Sequence, residues 1–294
     1  MPAADAKISV IIPHLDDLDR LKSCVAALEQ QSLPRERFEI IVADNGSKMD
    51  LGKLQSEVPM ARIVRVAEPG AGPARNGGVA VSRHRILAFT DSDCVPDRCW
   101  LEAGLCALEQ ADLVGGTVTV SVPDPSHPTA AEAFEVVFAF DNRRYVEEKA
   151  FSVTANLFTT RGVFDAVGGF RTRVSEDLDW CWRARAMGYR IAYAEHARVS
   201  HPARRSWAEL RRKWRRLTSE AAAFEQEAGS TPIQRILRPI TVAFSPLVHA
   251  PRIIATDRLS VAAKLGALTV LFRLRLLRAW WLTLDMLIPE ERRA

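Results

Sequence analysis

Short apolar runs and longer amphipathic stretches alternate along the first ninety residues. Ile8–Ile12 reads as a buried strand that ends at Pro13, and Leu18, Leu21, Val25 and Leu28 recur at helical spacing, which predicts a helix over 17–31. Phe38–Ala43 is a second apolar strand and Arg62–Val66 a weaker third. A helix is expected from Ala74 to about His84, followed by a strand over Ile86–Thr90. Strand and helix alternating at this spacing predict an α/β fold, a mainly parallel open sheet flanked by helices.

The polar residues that close these strands carry the candidate chemistry. Asp16 and Asp17 follow the first strand, Asp44 ends the second, and Asp91 and Asp93 follow the Ile86–Thr90 strand. Ligands bind at the carboxyl ends of strands in open α/β sheets. Two carboxylates one residue apart there suit a divalent cation and equally suit a solvated turn. Asp44, in Asp44-Asn45-Gly46-Ser47, can accept from a nucleobase or ribose, or simply serve the turn. Arg75 stands near a helix N-terminus, as a phosphate or base clamp or as a surface arginine. The glycines around it match neither G-x-G-x-x-G nor the P-loop.

A second cluster follows the glycine turn Val167-Gly168-Gly169-Phe170. Ser175 reads as a helix start, so Glu176 and Asp177 fall in a first turn, where the helix dipole favours ionised carboxylates. They are candidates for a general base, and that same dipole is reason enough for their presence. Two strands, Arg190–Ala194 and Ala197–Val199, then lead to His201, a metal ligand or a structural histidine.

With 294 residues, 48% of them hydrophobic, the chain can bury a full core. Its five cysteines form no C-x-x-C pair, which suits reduced thiols. No basic and apolar leader precedes the first strand, so a cytoplasmic protein is expected. Residues 203–294 hold 17 Lys+Arg against 8 Asp+Glu, while the rest is net acidic. Within that basic part Arg211, Arg212, Arg215 and Arg216 share one helical face and Leu210, Trp214 and Leu217 another. Such a helix suits an anionic lipid surface or a diphosphate, or is a packed helix with a solvated face. No nucleic-acid motif accompanies it, and no nucleic acid is expected. Pro239, Pro246 and Pro251 are expected to break the next apolar stretch. Over 261–288, charges interrupt any bilayer-spanning run, leaving an in-plane membrane helix or a packed one.

In order, Ser9-Val10-Ile11-Ile12-Pro13, Ile40-Ile41-Val42-Ala43-Asp44, Gly72-Pro73-Ala74-Arg75-Asn76, Asp91-Ser92-Asp93, Val167-Gly168-Gly169-Phe170, and Glu176-Asp177 with Trp180 and Arg183 resemble the family 2 glycosyltransferases of the nucleotide-diphospho-sugar (GT-A) fold. The resemblance covers about residues 7–216 and implies a catalytic domain over 1–216 with a helical region over 217–294. It implies an inverting enzyme that takes a sugar from a nucleotide-diphospho-sugar donor to a hydroxyl acceptor on a glycan, a lipid carrier or a small molecule, in cell-envelope, polysaccharide or glycolipid synthesis. By position, Pro13 and Asp16 border the nucleoside, Asp44 meets the base, and Arg75 contacts base or diphosphate. Asp91 faces ribose or metal, while Asp93 and His201 hold Mg²⁺ or Mn²⁺. Asp177 is the implied base, with Glu176 beside it.

Leu15, Asp16 and Asn45 depart from the common pattern. So does Leu210-Arg211-Arg212-Lys213-Trp214, which stands where processive members carry Gln-x-x-Arg-Trp and therefore favours transfer of a single sugar. A nucleotidyltransferase would need a glycine-rich, lysine-bearing loop, and Pro13-His14-Leu15-Asp16-Asp17 is not one. A non-catalytic nucleotide-sugar binder is the other alternative. The expected location is cytoplasmic, with peripheral attachment to the inner face of the cell membrane.

Overall fold

The computed structural model describes residues 6–172, 174–227 and 231–287. The elements run β1 (Ile8–His14), α1 (Leu18–Glu29), β2 (Phe38–Asp44), α2 (Leu51–Glu57), β3 (Ala61–Arg65), α3 (Ala71–Val81), β4 (Ile86–Phe89), β5 (Val95–Pro96), α4 (Trp100–Leu108), β6 (Leu113–Ser121), α5 (Ala130–Phe138), α6 (Asn142–Lys149), β7 (Leu157–Thr160), α7 (Arg161–Val167), α8 (Glu176–Ala186), β8 (Ile191–Pro202), α9 (Trp207–Glu227), α10 (Pro232–Ala255) and α11 (Val261–Leu287). The strands form one eight-stranded sheet in the order β3-β2-β1-β4-β7-β6-β8-β5.

The sheet is mixed. Strands β3, β2, β1 and β4 are parallel, as their apolar runs and crossover helices require. From β4 onward the pairing turns antiparallel, β7 lying against both β4 and β6. The two short strands expected before His201 are one strand, β8: Glu195 and His196 are polar and exposed but continue the ladder. Gly116 on β6 has a packing reason, since a Cβ there would lie 2.1 Å from the Ala197 carbonyl of β8.

The chain divides into two compact units. One holds the residues up to Thr119 together with Asp141–His201; the other holds Val120–Phe140 together with the chain from Pro202 onward. The division is therefore not the linear one at residue 216. Helix α5 interrupts the first unit in sequence yet shares a core with α9–α11, formed by Phe134, Leu210, Ile253, Leu271 and Leu274. In the first unit Ile11, Ile41, Phe89, Leu157, Phe164, Phe170 and Trp180 form the core behind the sheet.

Helix α10 runs through all three prolines expected to break it. Pro246 lacks the N–H that would bond the Val242 carbonyl, and the Ser245 hydroxyl donates to that carbonyl instead at 2.7 Å. Helix α11 is packed, with Ala267, Leu271 and Leu274 buried in the shared core. Among the described residues, no helix is long and apolar enough to cross a membrane.

Candidate functional site

Strand β4 delivers Asp91 and Asp93 at its carboxyl end. The two-residue β5 then pairs antiparallel with β8, Val95 opposite Ser200, and this register carries His201 back to the acidic pair. His201 Nε2 lies 3.4 Å from Asp93 Oδ2. Ligand atoms of Asp91, Asp93 and Cys94 all lie within 4.8 Å of one another. Cys94 is the member that sequence reasoning missed. Its thiol is buried, and burial followed by the two carboxylates pushes its pKa well above the ordinary range. A protonated thiol is a poor ligand for a hard cation. The carboxylates of Asp91 and Asp93 with the His201 imidazole are a donor set that fits Mg²⁺ or, with its nitrogen, better Mn²⁺.

Arg75 lies in the first turns of α3, only 3% exposed. Expected on base or diphosphate, its guanidinium here bridges two carboxylates: Nη2 donates to Asp91 Oδ1 at 2.6 Å and Nη1 to Glu176 Oε1 at 3.0 Å. The metal corner and the start of α8 are thus tied through one planar fork. A lysine, being a point charge, cannot span both carboxylates. Arg75→Lys is expected to lower turnover roughly 10- to 100-fold, the equivalent of one charge-assisted hydrogen bond of about 1.5–3 kcal/mol. A kcat measurement beside a thermal melt checks this, and unchanged kcat in a folded variant would contradict it.

The glycine turn is what places α8. The Asn76 amide donates to the Phe170 carbonyl and accepts from the Phe170 N–H, both at 2.8 Å. A Cβ on Gly169 would lie 2.9 Å from the Asn76 side chain. The Trp180 indole donates to the Gly168 carbonyl, and the Arg183 guanidinium to those of Val167 and Gly169. Asn76, Trp180 and Arg183 therefore hold the turn.

Asp177, in the first turn of α8, accepts from the Leu178 N–H at 2.8 Å and from the Ser175 hydroxyl at 3.1 Å. The helix terminus was expected to keep it ionised, but burial and then the adjacent Glu176 carboxylate outweigh that effect and push its pKa up to about 6. A carboxylate accepts a proton only when ionised, so kcat/KM is expected to rise with pH up to about 6 and level off above. At one unit below that pKa the rate is expected to be about tenfold under the plateau. A pH–rate profile flat from 4.5 to 8 would contradict the assignment.

The nucleoside-side residues divide. Pro13 sits on β1 beside Ala43. Asp16 has positive φ and spends its carboxylate on the Lys48 N–H, while its own N–H donates to Ser47 Oγ. It ties two rim loops together. Asp44 is fully buried with Arg65 Nη1 3.1 Å away, out of line for a hydrogen bond, so neither carboxylate oxygen has a donor. His14 faces Asp44 in register, and its Nδ1 also lacks a partner. Burial lowers the His14 pKa, against the pull of Asp44, and favours the neutral ring. The Asn45 amide donates to the carbonyls of Val66 and Glu68 and accepts from the Gly70 N–H. A carboxylate could not make those two donations, which explains the departure at this position.

Comparison with known proteins follows the same residues. A family model described as Glycosyl transferase family 2 matches residues 9–179. Glycosyltransferase AglE of Haloferax volcanii is 30% identical over 217 residues, covering 71% of each chain. The pre-mycofactocin glycosyltransferase of Mycobacterium tuberculosis is 27% identical over 218 residues, which are 68% of this chain and 44% of that longer one. Among solved structures, a mannosyltransferase from Pyrobaculum calidifontis, in complex with GDP-Man and Mn²⁺, superposes with a TM-score of 0.61 at 19% identity, covering 96% of this chain and 86% of the other. At that identity the likeness speaks for the fold.

Proposed function

The chain belongs to glycosyl transferase family 2, and on that premise we propose that it is an inverting enzyme which moves one sugar from a nucleotide-diphospho-sugar to a hydroxyl acceptor with a divalent cation. The observation that carries this reading is the Arg75 fork, which joins Asp91 of the acidic corner to Glu176, the neighbour of Asp177. That tie supports leaving-group and base functions acting on one frame.

Asp177 takes the proton of the acceptor hydroxyl as its oxygen bonds to the anomeric carbon. The bond from that carbon to the diphosphate breaks on the opposite side, and its electron pair leaves with the nucleoside diphosphate. Asp91, Asp93 and His201 would hold a divalent cation, which would supply positive charge to the departing diphosphate. Arg75 holds Asp91 and Glu176 in place, so that neither carboxylate reorients during the reaction. Asp44 meets the nucleobase once the Arg65 arm moves aside, and a base N–H then gives its oxygens the donor they lack. Pro13 and the Asp16–Ser47 tie shape the edge of that site. The Pyrobaculum mannosyltransferase, bound to GDP-Man and Mn²⁺, supports both a nucleotide-sugar donor and a metal.

Single transfer is supported by Lys213. Standing where processive members have arginine, it donates to the buried Glu135 at 2.7 Å and is used in packing. Work on cell-envelope acceptors at the inner membrane face, held there peripherally, is supported by the basic C-terminal region. Proton NMR of the product tests the reaction. Inverted anomeric configuration and one added sugar are expected; retained configuration or a polymer would overturn the proposal.

A further inference from the structure

Helix α10 has a second face that no described residue of its unit covers. Pro239, Pro246 and Ile253 are buried, recurring every seven residues on one side, and Ile253 joins the core shared with α11. On the other side Ile233, Ile236, Ile240, Phe244, Leu247 and Val248 are each 51–75% exposed. At 100° per residue these six fall within an arc of roughly 120°, and the fifteen rises from Ile233 to Val248 give a stripe of about 22 Å. Exposed apolar surface of that continuity marks an interaction site.

Charge selects the occupant. Helix α10 carries Arg235, Arg238 and Arg252, and no Asp or Glu among its 24 residues. By helical spacing Arg238 and Arg252 flank the apolar arc, whereas Arg235, eighteen residues before Ile253, falls on the packed side. A second copy docking on the same face would bring Arg238 and Arg252 toward their own equivalents, whereas an anionic bilayer accepts apolar side chains and arginines together. The helix cannot span instead, given its three internal prolines and three arginines.

We propose that α10 lies in the plane of an anionic lipid bilayer, with the Ile233–Val248 stripe among the acyl chains and Arg238 and Arg252 at the headgroups. This deepens the peripheral attachment proposed above and rests on it for the kind of surface involved. The inserting element is an apolar stripe, so attachment is not electrostatic alone.

The test is flotation of the full chain with vesicles of phosphatidylglycerol and phosphatidylcholine, at low salt and at about 1 M salt, where the Debye length is ~3 Å. The variant is Ile240→Ser with Phe244→Ser and Leu247→Ser, all exposed positions whose loss leaves the core intact. Hydrolysis of the donor in water, without vesicles, should be unchanged and reports folding. The proposal expects the wild type to float, to keep a substantial bound fraction at high salt, and to lose at least tenfold in vesicle binding in the triple variant. Equal flotation of variant and wild type would overturn the role of α10 while leaving peripheral attachment standing. No flotation of the wild type at low salt would overturn both. Wild-type dimers that the variant abolishes, without flotation, would assign the stripe to a second copy and overturn the bilayer.

Discussion

Asp177→Asn is expected to lower turnover by roughly 10²–10⁴, the usual scale of general-base catalysis, with donor affinity within a few-fold of the wild type. Asparagine is nearly isosteric and can still accept from the Leu178 N–H and the Ser175 hydroxyl that hold Asp177, so α8 should keep its start. What it cannot do is take a proton. The acid limb of the pH profile, set by a carboxyl held up to about 6, should vanish with the carboxylate. Glu176→Gln should cost less, because Glu176 serves through Arg75 and the amide oxygen can still accept from Nη1. Calorimetry with the nucleoside diphosphate beside a product assay separates binding from chemistry. Near-normal turnover in Asp177→Asn, or a loss confined to donor affinity, would make Asp177 a structural residue.

Asp93→Ala is expected to remove metal-dependent binding of the nucleoside diphosphate and to lower turnover at least about 10²-fold, several kcal/mol of lost charge stabilisation. Asp91 cannot compensate, since one of its oxygens is already taken by Arg75 at 2.6 Å. His201, 3.4 Å from Asp93, is too weak a donor to hold a hard cation without that carboxylate. Calorimetric titrations with Mn²⁺, and again in excess chelator, should give the variant one affinity in both, equal to that of the chelated wild type. A variant that kept metal-enhanced binding would place the cation elsewhere.

The parallel half of the fold was legible because each of its strands is a local apolar run. Ile8–His14, Phe38–Asp44 and Ile86–Phe89 lie within a residue or two of their expected limits. Of the antiparallel half only β8 was visible, as two short strands. Strand β6 carries Gly115 and Gly116, which weaken a strand pattern, and the approach of the Ala197 carbonyl to Gly116 is not visible in the sequence. Strand β5 is two residues long, too short for any periodicity, yet its register with β8 is what returns His201 to Asp93. In α10 the prolines suggested breaks because the Ser245 bond that relieves Pro246 depends on helical geometry already formed.

The candidate site shows the same division. Carboxylates and histidine announce themselves by type and position. The task of Arg75 did not, because its partners lie 16 and 101 residues away in sequence. Asp44 was visible as a strand-end carboxylate, but its lack of a hydrogen-bond donor and the Arg65 arm over it were not. Trp180 and Arg183 stood out as motif residues, and only the carbonyls they bind reveal that they serve the turn before α8.

The central claim is metal-dependent sugar transfer from a nucleoside diphosphate. It is tested most directly by incubating the full chain with a panel of nucleotide-diphospho-sugars and measuring nucleoside diphosphate release, with Mn²⁺ or Mg²⁺ and with excess chelator. The account predicts that at least one donor yields nucleoside diphosphate and sugar with the cation and neither in chelator. Pyrophosphate as the product, binding across the panel without turnover, or equal turnover in chelator would contradict it.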